Sequence, residues 1–303
     1  MTASPISQPR AWLLTARLPS LLLAAAGIFM GTALAASQGR VRIDIAVFAV
    51  LTASLLQVLS NLANDYGDTV KGADEGALMP RKQMLRQGVI SLANMRLGMV
   101  LCGVAAALFG VVLLLLTFGG FTWGFWLFLL LGAAALWAAV AYTATANPYG
   151  YSGFGDVMVL VFFGLVAVLG SYILQAGMPG WLELLPALTS GALAIAVLNI
   201  NNLRDLDSDR SAGKHTVPVR LGRKNARRYH LLLFAIAFGC ANLYTLLRYD
   251  TPWQWLFWLS LPLFVINGKH VMTQQGDALA PMLKQMVLSA AAFTLLFGLG
   301  LML

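Results

Sequence analysis

Apolar residues run through this chain in long, unbroken stretches rather than at amphipathic helical intervals. The runs cover about 19–37, 44–62, 94–117, 121–143, 156–176, 181–201, 229–247, 253–268 and 284–302, each near the length that crosses a bilayer as a helix. Transmembrane barrel strands would be about ten residues long and alternating. The pattern therefore predicts an all-α, polytopic membrane protein with nine transmembrane helices, forming one domain over 1–303. Runs seven and eight are short, which fits tilted or partly interfacial helices. Between the runs most connections are brief. Two are long, at about 63–93 and 202–228, and both are strongly polar.

Composition strengthens this reading. Only 11% of the residues are charged and 59% are apolar, against about a quarter charged in a soluble domain. All of the 20 Lys and Arg residues except Arg40, Arg42 and Arg248 fall on one side of the predicted bundle. The positive-inside rule makes that side cytoplasmic, together with the N-terminus and both long loops, and puts the C-terminus outside. The net charge of +8 follows from the same rule and is no sign of a nucleic-acid partner. The first apolar run is long enough to span, so no cleavable signal peptide is expected. Cys102 and Cys240 lie inside separate apolar runs and read as packing residues.

The two long loops hold seven of the 12 acidic residues. NLANDYGDTVKGADE follows the second run and LNINNLRDLDSDR follows the sixth. In each, Asn precedes clustered Asp, and four runs separate the copies, so both face the same side of the membrane. Asn201, Asp205 and Asp209 are spaced i, i+4, i+8 and stack along one helix face. Asn64 and Asp68 repeat the first interval. Asp74 comes at i+10, beyond Gly72, which is expected to break the helix. Oxygen donors stacked this way repel one another unless a cation sits among them, and hard oxygens suit Mg²⁺, which also takes substrate phosphates as ligands. Lys71, Arg81, Lys82 and Arg86 accompany the first cluster; Arg204, Arg210 and Lys214 accompany the second. Carboxylates with Mg²⁺ and Lys/Arg form the usual combination for a diphosphate.

At these residues the chain resembles the UbiA superfamily of intramembrane aromatic prenyltransferases. Its two Asn- and Asp-rich signatures read here NDYGDTVKGAD and NNLRDLDSD. Together with YGYSGFGDVMVLVFFG, they resemble the 1,4-dihydroxy-2-naphthoate polyprenyltransferase branch, which works in menaquinone biosynthesis. The loop TATANPYGY lacks the basic pair that many relatives carry there, which argues against a 4-hydroxybenzoate enzyme. The resemblance implies nine helices around a central cavity capped by the two cytoplasmic loops, in the bacterial inner membrane among its lipids. It implies a polyprenyl diphosphate donor, an aromatic acceptor and Mg²⁺ between the motifs. Asn64, Asp68, Asp74, Asn201, Asp205 and Asp209 are then the expected metal set. Lys71, Arg81, Arg204, Arg210, Lys214 and Arg17 are the expected diphosphate contacts. Asp68, Asp205 and Asp209 serve ionisation, while Asp156 and Tyr151 are candidates to orient or deprotonate the acceptor, with Tyr149 behind them.

Each expectation has a plainer counterpart. Asp156 is also an ordinary first-turn helix acid, and Arg17 also an interface anchor. Asp65 and Asp207 lie off the i, i+4 face, as supporting or helix-terminal acids. His215 lies beside the second motif, within reach of phosphate. His230 and His270 read as packing or interfacial residues, and Trp253, Trp255 and Trp258 as an interfacial belt. The rival reading of a different class is an ion-coupled transporter with paired acids; homogentisate, 4-hydroxybenzoate and haem remain alternative acceptors.

Overall fold

The computed structural model describes residues 7–72, 84, 85 and 87–303. Asp74, Glu75, Arg81, Lys82 and Arg86 lie outside them. Among the described residues the secondary structure is helical throughout. α1 (Gln8–Ala16) leads into α2 (Leu18–Ala36), α3 (Ile43–Val70), α4 (Leu92–Phe118) and α5 (Trp123–Ala141). A 3₁₀ turn at Tyr149–Ser152 precedes α6 (Gly155–Ala176). α7 (Leu184–Arg204) and the short α8 (Leu206–Ser211) follow, then α9 (Val217–Leu247), α10 (Leu261–Thr273) and α11 (Ala280–Met302).

Eight stretches among the described residues are long and apolar enough to cross a membrane. The chain is a multi-pass membrane protein. The ninth expected span is built differently: a 3₁₀ segment, Pro252–Ser260, runs directly into the 13 residues of α10. Local signals set the ends. Ser91 accepts from the amide of Asn94 to cap α4, and Thr122 does the same for Phe125 at α5. Gly119 ends α4 at φ 67°, the left-handed turn that glycine adopts without strain. Prolines occupy the first turns of α2, α9, α10 and α11, where no amide donor is needed.

The expected second cytoplasmic loop is mostly helix. α8 fills 206–211, and α9 begins at Val217, well before the apolar run. It bends at Gly222, whose φ of 73° interrupts the helix. Hydropathy misses these turns because they carry Arg223, Lys224, Arg227 and Arg228. Likewise α3 runs to Val70 and carries the first acid motif in its last turns.

One half of the bundle is densely packed. Phe238, Phe257, Phe264, Phe293 and Phe297 of α9, the 3₁₀ segment, α10 and α11 form an aromatic core; Phe238 meets Phe293 edge-on at 5.0 Å. In lipid such packing, not water exclusion, holds helices together. Buried polar links join the same helices. His230 Nε2 lies 2.9 Å from Asn267 Oδ1, while Asn267 Nδ2 donates to the Met282 carbonyl at 3.0 Å and to Gln285. His230 thus has a partner that its position at a span end did not disclose. His270 pairs locally with Gln274.

A cavity lies mainly among α2 to α6, with α7 and α11 completing its wall. α6 widens into π-helical turns over Leu160–Gly170, a geometry that is rare and concentrated at functional sites. Its Phe162, Phe163, Val166 and Ala167 line the cavity. On its other side Gly164 lets α6 touch α7 directly: a Cβ there would meet the Ala187 carbonyl at 2.7 Å.

Candidate active site

The two acid motifs meet at one end of the bundle. They bound a small polar pocket of about 60 Å³ lined by Asn64, Asp68, Asn201, Asp205, Asp209 and Lys214, among others. Helical register delivers the second set. α7 stops at Asp205, whose φ/ψ of −91°/11° breaks the helix. Yet the amide of Asp205 still donates to the Asn201 carbonyl at 3.1 Å, and that of Asp209 to Asp205 at 2.8 Å. The i, i+4, i+8 stack therefore survives the break. For the first set, α3 ends at Val70 and Gly72 takes φ 71°, the break expected from the sequence. Gly67 brings α3 against the end of α5, since a Cβ on it would lie 2.5 Å from the Thr143 carbonyl oxygen. Thr143 Oγ1 in turn donates to Asn64 Oδ1 at 3.0 Å.

Cations thread between the acids. Lys214 Nζ sits 2.9 Å from Asp68 Oδ1 and 3.7 Å from Asp209 Oδ1, linking the two motifs. Tyr151 donates its hydroxyl to Asp68 at 2.8 Å. Its ring is faced by Lys214 at 4.7 Å and Lys71 at 5.1 Å. Lys71 Nζ is held by the carbonyls of Thr143 and Thr145 at 3.1 and 2.6 Å. Burial lowers the Lys71 pKa and Lys214 adds to this, while Asp68 works against it. Arg17 lies in the left-handed region at φ 52°, ψ 57°, uncommon for a non-glycine residue, between α1 and α2. Its Nη2 reaches Asp65 Oδ1 at 2.6 Å. Asp65 thus supports Arg17.

Beneath the polar pocket opens an apolar cavity of about 880 Å³. The two chambers share Arg17, Asn64, Tyr142 and Asn201, which form the neck between them. Tyr142 had no motif to announce it; a tyrosine closing an apolar run carries no spacing signal. Its ring is clamped, because a Cβ on Gly150 would fall 2.8 Å from it. Burial raises the Tyr142 pKa and pushes Tyr149 up to about 12, so both remain neutral phenols near neutral pH.

Other expected residues are placed elsewhere. Arg204 forms two bonds to Asp205, at 2.7 and 2.6 Å, and one to Asn201 at 2.9 Å. It holds the acids and does not line the polar pocket. Arg210 is exposed, off the Asp209 face, and its side chain makes no hydrogen bond or ion pair among the described residues. Asp156 is buried and accepts from Tyr229 at 2.8 Å, lining neither chamber. Asp207 pairs with Arg223 at 2.7 Å. His215 is exposed and lines neither chamber.

The donor set fits a hard divalent cation. Amide and carboxylate oxygens converge from α3, from α7 and its end at Asp205, and from α8, and no three acids, His or Cys among the described residues group closely enough to hold a metal alone. That is the chemistry of an ion which keeps waters and shares its shell with a phosphate.

The model of the UbiA prenyltransferase family matches residues 21–290. The chain belongs to that family. Among curated UbiA relatives, the 1,4-dihydroxy-2-naphthoate octaprenyltransferase of Escherichia coli is 44% identical, over 100% of this chain and 98% of its own. The enzyme of that name from Mycobacterium tuberculosis is 34% identical over 94% of each. Among solved structures, a UbiA homolog from Aeropyrum pernix superposes with a TM-score of 0.68 at 17% identity, covering 93% of this chain and 96% of that one. A UbiA homolog from Archaeoglobus fulgidus bound to GPP and Mg²⁺ gives 0.64 at 14% identity, covering 95% and 99%. These structural likenesses place the fold in the UbiA family.

Proposed function

We propose that this protein transfers a polyprenyl chain from polyprenyl diphosphate to 1,4-dihydroxy-2-naphthoate, releasing diphosphate and CO₂ and giving demethylmenaquinol. The observation that carries it is the joined pair of chambers. Polar groups that suit a diphosphate sit directly above an apolar space that suits its tail. The 44% identity to a dihydroxynaphthoate enzyme along the whole chain supports the acceptor.

The residues divide the work. Asn64, Asp68, Asn201, Asp205 and Asp209 would hold Mg²⁺, with Asp74 as a further candidate. When bound, Mg²⁺ supplies Lewis-acid neutralisation of the leaving diphosphate. Arg17 and Lys214 bind its remaining charge, Lys71, which lines neither chamber, braces the Tyr151 ring and the end of α5, and Arg204 keeps Asp205 and Asn201 aimed. The allylic C–O bond breaks with its electron pair leaving on diphosphate. Tyr142, at the neck, offers a neutral ring to the allylic cation. The acceptor ring carbon that bears the carboxylate attacks that cation. Loss of CO₂ returns its bonding pair to the ring and restores aromaticity. The apolar walls exclude water, which would otherwise trap the cation. Asp156 sits too deep against Tyr229 to meet the acceptor directly, so its part is to hold α6 to α9. The acid end of the bundle faces the cytoplasm of a bacterial inner membrane, a reading supported by the basic residues gathered there.

The test is transfer by the purified protein with both substrates, in Mg²⁺ or in EDTA, read by mass spectrometry. Mg²⁺-dependent prenylated naphthoquinol with CO₂ release is expected. Product with homogentisate or 4-hydroxybenzoate alone would refute the acceptor assignment. No turnover with any aromatic acceptor, in folded protein, would refute the enzyme.

A further inference from the structure

We propose that Lys284 captures the carboxylate of the aromatic acceptor at the α11 wall of the apolar cavity; the inference rests on the transfer reaction proposed above. α11 turns Ala280, Leu283, Lys284 and Val287 toward the apolar cavity. These positions, i, i+3, i+4 and i+7, form one helix face. Its other members are apolar, so a lysine in the stripe is out of keeping with a wall built for a hydrocarbon tail. Pro19 and Leu23 of α2 line the same cavity.

The cations lining this cavity, among the described residues, are Arg17, Arg204 and Lys284. Two of them are engaged, Arg17 by Asp65 at 2.6 Å and Arg204 by Asp205 at 2.6 Å. Lys284 is exposed and makes no hydrogen bond or ion pair among the described residues. It does not line the polar pocket, so it is not placed to hold the departing diphosphate. An acceptor with a bicyclic aromatic body and one carboxylate has two conflicting needs. Its rings favour the apolar chamber, while its charge opposes leaving water. A free ammonium on this wall attracts such an anion and orients its ring within the cavity. A lysine serving only as an interface anchor would have no preference among acceptors.

The experiment compares wild type with Lys284→Gln, Lys284→Glu and Lys284→Arg in full-length purified protein. In Lys284→Gln, KM for dihydroxynaphthoate should rise about 3- to 5-fold, the scale of one partly exposed ion pair. Lys284→Glu should raise it further and Lys284→Arg should restore it, with kcat and donor KM unchanged throughout. A binding measurement without donor makes the same comparison by tryptophan quenching. Affinity for 1-hydroxy-2-naphthoate should fall in Lys284→Gln, and affinity for uncharged 1-naphthol should not. Equal loss of both ligands, no loss of either, or a raised donor KM would overturn the proposal. The two readings separate cleanly. Wild type that transfers to dihydroxynaphthoate while Lys284→Gln binds the acid normally removes only this inference. Wild type that binds the acid through Lys284 yet transfers nothing to dihydroxynaphthoate removes only the reaction.

Discussion

Gly67→Ala tests how tightly the first acid motif is set by backbone contact. Gly67 lies one residue before Asp68 and three after Asn64. An added Cβ would sit 2.5 Å from the Thr143 carbonyl oxygen, 2.6 Å from its carbon and 3.0 Å from the Ala144 nitrogen. Ordinary contact needs roughly 3.5 Å, so α3 and the α5 end must separate by about 1 Å. Both are backbone, and neither can rotate away. The displaced segment carries the Thr143 hydroxyl that holds Asn64 and the carbonyls that hold Lys71. Overpacking of this kind costs about 1–3 kcal/mol, which a bundle of this size tolerates. Misplacing reacting groups by about 1 Å costs on the order of 100-fold in rate. Gly67→Ala should therefore remain folded and lose about 100-fold in kcat. Gly103→Ala is the control, because its Cβ would meet only side chains at 3.8 and 3.9 Å. The assay is transfer rate beside thermal unfolding of both variants in detergent. Wild-type turnover in Gly67→Ala would show that the site does not depend on this contact.

Asp68→Asn and Asp205→Asn should each abolish turnover in protein that still folds, Asp205→Asn at a lower melting temperature because it leaves the buried Arg204 without its counter-charge; full activity in either would remove it from the metal set. Tyr151→Phe keeps the ring between two lysines but loses the hydroxyl on Asp68, so a rate loss of about 10- to 150-fold is expected, the scale of one hydrogen bond to a charged group; an unchanged rate would leave that bond without a role. Asn267→Ala strands His230 and Gln285 inside the bundle and should destabilise it by about 1–2 kcal/mol, with substrate KM values unchanged. A melting temperature equal to wild type would contradict that account.

Much of the site was legible because helices leave a period in the sequence. The 4-residue steps of Asn201, Asp205 and Asp209 predicted one face, and backbone bonds carry that face through the break at Asp205. Span limits were less legible. NLANDYGD is too polar for a hydropathy window, so α3 appeared to end where its most useful turns begin. Charge pattern could place Arg204 near the acids, but not say whether it faced a substrate or its neighbour Asp205. Tyr142, Thr143 and Gly67 left no trace, because their importance comes from one tertiary approach between α3 and α5. The Trp-rich stretch Trp253, Trp255 and Trp258 suggested an interfacial belt, and nothing in its pattern announced the 3₁₀ winding there.

The narrow neck has a consequence for how such proteins diversify. Among the described residues, only Arg17, Asn64, Tyr142 and Asn201 border both chambers. Substitutions along the remaining apolar wall can lengthen, shorten or reshape the room for a hydrocarbon without touching a group that handles phosphate. Selection can therefore retune cargo and keep the chemistry, one wall residue at a time. A designer who wants a different tail should mutate α5 and α6 and leave these neck residues as they are.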